Sequence, residues 1–167
     1  MALRILVAYS SRKGSTAGIA QAVGKELVSA GHTVEVAEMK TVTTVEGYDA
    51  VVIGAPVYIG KVEKDVVGFV AKHRDRLSRI PVAAFAVGIA PVAPQIQPVD
   101  AVLKDLDKSL SPVQPVAATV FAGRLDPDKM SFIERRMTGL MKVKTGDFRD
   151  WTAIAAWARE LPGKMGV

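Results

Sequence analysis

Cysteine is missing from all 167 residues, which removes disulfides, thiolate zinc sites, iron–sulfur clusters and thiol redox chemistry together. Any electron this chain handles must be carried by a bound group. Histidine is nearly as scarce: His32 and His73 are the only two, too far apart in sequence to suggest a metal centre. Both read as solvated residues, His32 in a turn and His73 on a basic helix. No apolar run reaches the ~18 residues of a membrane-spanning helix, and the short run after Arg4 lacks the form of a secretory signal. A cytoplasmic protein is expected. Internal repeats and low-complexity linkers are absent, and the length suits one domain over residues 1–167 with a sizeable core. Acidic residues are in deficit, with 17 Asp and Glu against 22 Lys and Arg and a net charge of +5. That balance favours an anionic partner. A membrane surface or an acidic protein is expected in that role, and no nucleic acid.

What the chain does contain is a near-continuous apolar run, Leu3 to Tyr9, that breaks into Ser10-Ser11-Arg12-Lys13-Gly14-Ser15-Thr16 before a helical pattern begins. A strand of Leu, Ile and Val without clean alternation suits a parallel sheet covered on both faces. Ligands of open α/β sheets bind at the carboxyl ends of such strands, and a hydroxyl-rich turn into a helix offers backbone N–H groups to an anion. Two familiar phosphate loops are excluded by spacing. A Walker loop needs lysine directly after its second glycine, whereas Lys13 precedes Gly14, and a dinucleotide fingerprint needs three glycines where Gly14 and Gly18 supply two. Two readings stay open for this turn: a phosphate cradle, or an ordinary helix entry with Ser15 or Thr16 as N-cap.

Strand and helix patterns then alternate. Ile19, Ala20, Val23 and Leu27 mark a helix closed by Gly31, and Thr33 to Glu38 is a more exposed strand. Tyr48 to Ala55 is a second buried strand, ending in a turn with Pro56 and Gly60. Val62, Val66, Phe69, Val70 and Leu77 outline the next helix, and Pro81 to Gly88 a third buried strand. The proline-rich stretch Ala90 to Pro98 reads as a loop. A helix over Val99, Val102, Leu103, Leu106 and Leu110, a strand over Val116 to Phe121 and a last helix capped by Asp150 and stopped by Pro162-Gly163 complete the pattern. Five strands joined by helices imply right-handed crossovers, a parallel sheet and the order 2-1-3-4-5. A phosphoacceptor receiver shares that topology, but it carries acidic clusters where this chain has Tyr9-Ser10-Ser11. Three strand ends would meet at one edge, bringing together residues 10–16, 55–61 and 88–94.

One segment exceeds the five-unit pattern. Residues 124–148 form an insertion after the fifth strand, and a helical wheel places Phe132, Ile133, Met137, Leu140, Met141 and Val143 over about half the circumference. From Arg124 to Arg149 there are seven Lys and Arg against four Asp and Glu. A basic amphipathic helix of this kind either packs on its own domain or meets an anionic membrane or acidic protein through Arg135, Arg136, Lys142 and Lys144.

The pattern Ser11, Gly14, Thr16 resembles the phosphate loop of the flavodoxin family. Over essentially the whole chain the sequence is similar to the flavodoxin-like menaquinone-dependent protoporphyrinogen oxidases, through the first loop, Val52-Ile53-Gly54-Ala55-Pro56-Val57-Tyr58-Ile59-Gly60, Phe121-Ala122-Gly123-Arg124-Leu125 and Thr145 to Trp151. The resemblance implies a flavodoxin-like three-layer α/β sandwich that binds FMN. Ser10, Ser11, Arg12, Lys13, Gly14, Ser15 and Thr16 would hold its phosphate. Pro56, Val57, Tyr58, Ile59 and Gly60 would flank one side of the ring, with Tyr58 stacking on it and the Gly60 backbone near the reactive nitrogen, and Gly88 and Ile89 would contribute backbone contacts. The third loop lacks the acidic residue and tyrosine usual in short flavodoxins. Arg12, Lys13 and Lys61 would favour the anionic reduced flavin. The implied activity is an FMN-dependent oxidoreductase passing electrons to a quinone or similar acceptor, cytoplasmic with a peripheral contact at the inner face of the membrane. The alternatives are a non-enzymatic electron carrier and a cofactor-free binding domain.

Overall fold

The computed structural model describes residues 2–11, 14–58, 60–125, 136, 139 and 146–167. Its elements are β1 (Arg4–Tyr9), α1 (Ser15–Ser29), β2 (Thr33–Glu38), β3 (Ala50–Tyr58), β4 (Lys61–Val62), α2 (Asp65–Leu77), β5 (Val82–Gly88), α3 (Val99–Leu110), β6 (Ala117–Ala122), β7 (Arg124–Leu125), β8 (Gly146–Asp147) and α4 (Trp151–Lys164). Five parallel strands lie in the order β2-β1-β3-β5-β6, which is the 2-1-3-4-5 arrangement expected from the pattern. Two antiparallel additions were not legible: β4 folds back on β3, and β7 pairs with β8 in a separate ribbon.

Strand alternation distributes the core into two layers. Leu6, Ala8, Val51, Ile53, Ala55, Ala84 and Ala86 face α2 and α3, meeting Val66, Phe69, Val70, Val102, Leu106 and Leu110. Their sequence neighbours Ile5, Val7, Val52, Ala83, Phe85 and Val87 face α1 and α4, meeting Ile19, Val23, Leu27, Ile154, Ala158 and Leu161. Both faces of every central strand are therefore apolar, which is why those strands read as continuous hydrophobic runs. In the second layer Phe85, Phe121 and Trp157 pack as a triad with centroids 5.6–6.0 Å apart.

Three local expectations change. The second ligand-edge segment is a hairpin: β3 continues through Pro56 to Tyr58, with Val57 opposite Val62 and Tyr58 opposite Lys61. Val62 thus belongs to a strand, and α2 starts at Asp65. The last helix does not stop at Pro162-Gly163 but runs to Lys164. Leu161 and Met165 are buried on either side of that pair, and the Met165 N–H donates to the Leu161 carbonyl, so core packing carries the chain through a residue that local propensity would use as a stop. Finally, both histidines are buried. His32 Nδ1 accepts from the Leu3 N–H at 3.0 Å. His73 packs against the Phe69 ring at a tilt of 57°, centroids 4.7 Å apart, and burial, followed by the charge of Lys72, lowers its pKa.

Candidate functional site

The parallel register brings the ends of β1, β3 and β5 to one edge, Tyr9 beside Gly54 and Pro56 beside Val87. The first loop leaves β1 at Ser10, whose N–H donates to the Gly54 carbonyl at 2.9 Å and whose side chain is nearly buried. Ser11 Oγ accepts from the Gly14 N–H at 3.1 Å, closing the turn on itself.

Gly14 is the N-cap of α1. It sits at φ 88°, in the left-handed region that costs an L-residue energy and a glycine none. Neither Ser15 nor Thr16 caps the helix, because capping falls to a residue without a side chain. The first turn of α1 accordingly has no side-chain cap and no acidic residue. The contrast with α4 is direct, since there Asp150 accepts from the Ala153 N–H at 3.0 Å. An α1 start of this kind presents N–H donors and the positive end of the helix dipole to an anion, with Thr16 directly behind at 1% exposure.

The second loop contributes Pro56, Val57 and Tyr58 at the end of β3, all half-buried, and Gly60 at φ 76° in the hairpin turn. A hairpin is a more rigid platform than an open loop, because β4 and the bond from the Glu63 N–H to the Pro56 carbonyl hold it to the sheet. Lys61 is not a free cation. Its ammonium lies 3.7 Å from Asp105, whose other oxygen accepts from the Val62 N–H at 2.7 Å. In the third loop the Gly88 carbonyl accepts from Gly123, and the Ile89 carbonyl accepts from Val92 and Ala93. Arg12, Lys13 and Ile59, expected from the sequence to contact the cofactor, lie outside the described residues, as do Arg135, Lys142 and Lys144. Arg136 is described and exposed.

Residues that sequence reasoning passed over join the edge. Asp65, the first residue of α2, accepts from Ser10 Oγ at 3.1 Å. Gly123 is pressed between β5 and the first loop, where an added Cβ would come 2.8 Å from Val87 and 3.3 Å from Ser15 Oγ. Its carbonyl accepts from the Phe148 N–H, so the returning end of the insertion is tied to the same edge. A signal for Asp65 was available, since an acidic residue opening a helix just after a strand-end loop must sit near that loop. Gly123 and Phe148 stand in two of the segments that carry the family resemblance, but nothing in either segment says that they meet, because only the fold joins them.

These features are those of a flavodoxin-type fold, and a model of the flavodoxin domain family matches residues 6–152; the chain belongs to that family. It is 29% identical to protoporphyrinogen IX dehydrogenase [quinone] of Escherichia coli strain K12 over 171 residues, covering 95% of this chain and 94% of that protein. Among solved structures it is similar to oxidised flavodoxin 2 from Bacillus cereus, with a TM-score of 0.61, 18% identity and coverage of 96% of this chain and 99% of that one. A flavodoxin from the domain Archaea gives a TM-score of 0.59 at 16% identity, covering 99% and 100%. Rubredoxin oxygen:oxidoreductase from Desulfovibrio gigas gives 0.60 at 17%, over 98% of this chain and 37% of that longer one. At these identities the structural likenesses concern the fold. Among the described residues no helix is long and apolar enough to cross a membrane.

Proposed function

We propose that this chain is one flavodoxin-like domain with an insertion, binds FMN noncovalently at the carboxyl edge of its sheet and passes electrons through it to a quinone or similar acceptor, as a protoporphyrinogen oxidase-like enzyme. The observation that carries the cofactor assignment is the start of α1, with a left-handed glycine N-cap, no side-chain cap and no acidic residue in its first turn. That arrangement fits a phosphate. Ser11, Gly14, Ser15 and Thr16 hold it, and Ser10, Arg12 and Lys13 complete the loop. Pro56, Val57, Tyr58, Ile59 and Gly60 line one side of the ring, and Gly88 and Ile89 the other. When bound there, the flavin supplies the electron chemistry that a chain without cysteine lacks. The protein's part is to hold the ring on a rigid hairpin and to set the charge around it. The similarity to the quinone-linked dehydrogenase of E. coli supports the enzyme reading, with a quinone as partner.

A second reading is a non-enzymatic electron carrier docking on partner redox proteins. It is favoured by the three loops themselves, since residues 10–16, 55–61 and 88–94 contain no histidine, aspartate or glutamate to move a proton. Purified protein offered FMN, FAD and riboflavin, then protoporphyrinogen IX with menaquinone and ubiquinone analogues, separates the readings. FMN uptake with quinone-dependent porphyrin formation is the expected result. FMN uptake without that turnover would leave the carrier, and failure to take up FMN would leave a cofactor-free binding domain.

A further inference from the structure

The turn that carries Tyr58 and Gly60 is tied to the sheet by a short ladder. β4 has two residues and pairs with β3 through Val57 opposite Val62 and Tyr58 opposite Lys61. In an antiparallel pair, successive N–H groups point alternately toward the partner strand and away from it. The Glu63 N–H donates to the Pro56 carbonyl at 2.9 Å, so it points toward β3 and the Val62 N–H before it points outward. An outward N–H on a buried residue needs an acceptor, and Val62 is buried in the layer made with α2 and α3.

That acceptor is Asp105 in α3, whose Oδ2 lies 2.7 Å from the Val62 nitrogen across 43 positions of sequence. Val102, Leu106 and Leu110 bury one face of α3, and Asp105, next to Leu106, stands at the border of that face. Two contacts reach β4 from this carboxylate, and they differ in strength. The Lys61 ammonium is 3.7 Å from Oδ1 on a side chain 78% exposed, a pair of the kind that contributes little in water. The bond from Val62 is short, charge-assisted and part-buried, and it is the stronger of the two. We infer that Asp105 is a positioning residue: from α3 it clasps the outer edge of β4 through the Val62 N–H, and so fixes where the turn bearing Tyr58 and Gly60 stands at the carboxyl edge of the sheet. For flavin binding this rests on the FMN reading above. The clasp then acts on the ring's side of the site, because the hairpin carries residues assigned to the ring and none assigned to the phosphate.

Asp105→Ala removes the acceptor, whereas Asp105→Asn keeps an oxygen for the Val62 N–H and removes the charge that meets Lys61. Backbone ¹⁵N relaxation of the full chain and both variants reads order within the folded state, whatever the global stability. In Asp105→Ala the order parameters of Gly60, Lys61 and Val62 should fall from about 0.85 toward about 0.6. Those of Val7, Val52 and Phe85, buried in β1, β3 and β5, should not change. FMN and riboflavin should weaken together in that variant, about five-fold each, the cost of ordering a loosened turn on binding. Asp105→Asn should restore most of both properties. Unchanged order at Val62 in Asp105→Ala would overturn the inference, as would an Asn variant that behaves like the Ala variant, or a loss of FMN with riboflavin spared. Uptake of neither flavin by the wild type would overturn the cofactor reading, while the order of residues 60–62 in the two variants would still decide the clasp.

Discussion

Arg149 grips Asp147 through both carboxylate oxygens, Nη2 to Oδ2 at 2.7 Å and Nε to Oδ1 at 2.9 Å, while the same guanidinium lies 4.8 Å over the Trp151 ring. It also covers the first turn of α1, where a Cβ on Gly18 would come 2.8 Å from Nη1. The far end of the insertion is thereby latched to the helix that opens the candidate site. The hydrogen bonds from Arg149, opposed by a smaller desolvation effect, lower the Asp147 pKa to about 2. A lowered carboxyl contributes stability above its unfolded value near about 4 and loses it as pH falls through its folded value. A carboxyl-carbon NMR titration should place Asp147 near about 2 in wild type and close to the ordinary value in Arg149→Leu. The same substitution should cost about 1 kcal/mol, modest because Asp147 is partly solvent-exposed.

Gly54 should not tolerate alanine. An added Cβ would lie 2.6 Å from Cε2 and 2.7 Å from Cε1 of Phe85, a ring already held by Phe121 and Trp157. The ring has no room to retreat, so overpacking should cost about 3 kcal/mol, above the middle of the usual range. Urea denaturation of Gly54→Ala measures it, and a midpoint equal to wild type would show that the core layer repacks freely.

Stability should fall on mild acidification because of His73. Burial, the larger cause, and Lys72 lower its pKa in the folded state. The folded protein therefore binds fewer protons than the unfolded chain, and the contribution present above about 6.5 is lost as pH drops toward the lowered folded value. Urea midpoints taken from pH 7 to pH 5 should decline more steeply in wild type than in His73→Gln. Parallel declines would assign the pH dependence elsewhere.

At the first loop, Gly14→Val should weaken FMN by about ten-fold, since a β-branched residue is strained at φ 88° by about 1–2 kcal/mol. Riboflavin binding should change less, because the perturbed group meets phosphate. Flavin fluorescence titration reads both, and equal losses for the two flavins would place the effect at the ring instead.

The insertion's charges predict a salt-sensitive contact. Reversing Arg135, Arg136, Lys142 and Lys144 together should leave FMN binding intact but reduce co-sedimentation with anionic liposomes or turnover with the acceptor. The difference should shrink as salt is raised. Full association of the reversed protein at low salt would make the segment a packing element.

The sequence by itself determined the alternation of strands and helices, the two-faced hydrophobic strands and the first loop, because burial on both faces and the spacing of Ser11, Gly14 and Thr16 are properties of contiguous residues, whereas the order of strands is set by pairing between distant segments. Tyr58 and Gly60 were also legible as strand-end residues, though not as parts of a hairpin. Only the tertiary structure decided which charges and polar groups are already engaged. Lys61 read as a free cation until Asp105, 44 positions on, came within 3.7 Å, and His73 read as solvated until α2 turned it inward beside Phe69. Asp65 became Ser10's acceptor across 55 positions, and Gly123 met Ser15 and Phe148 only when β6 closed the sheet edge. Pro162-Gly163 reads as a stop from local propensity, but burial of Leu161 and Met165 carries the helix onward. Periodicity records which face of an element is buried; the partner of a polar side chain depends on distances between segments far apart in the chain, and no local pattern encodes them.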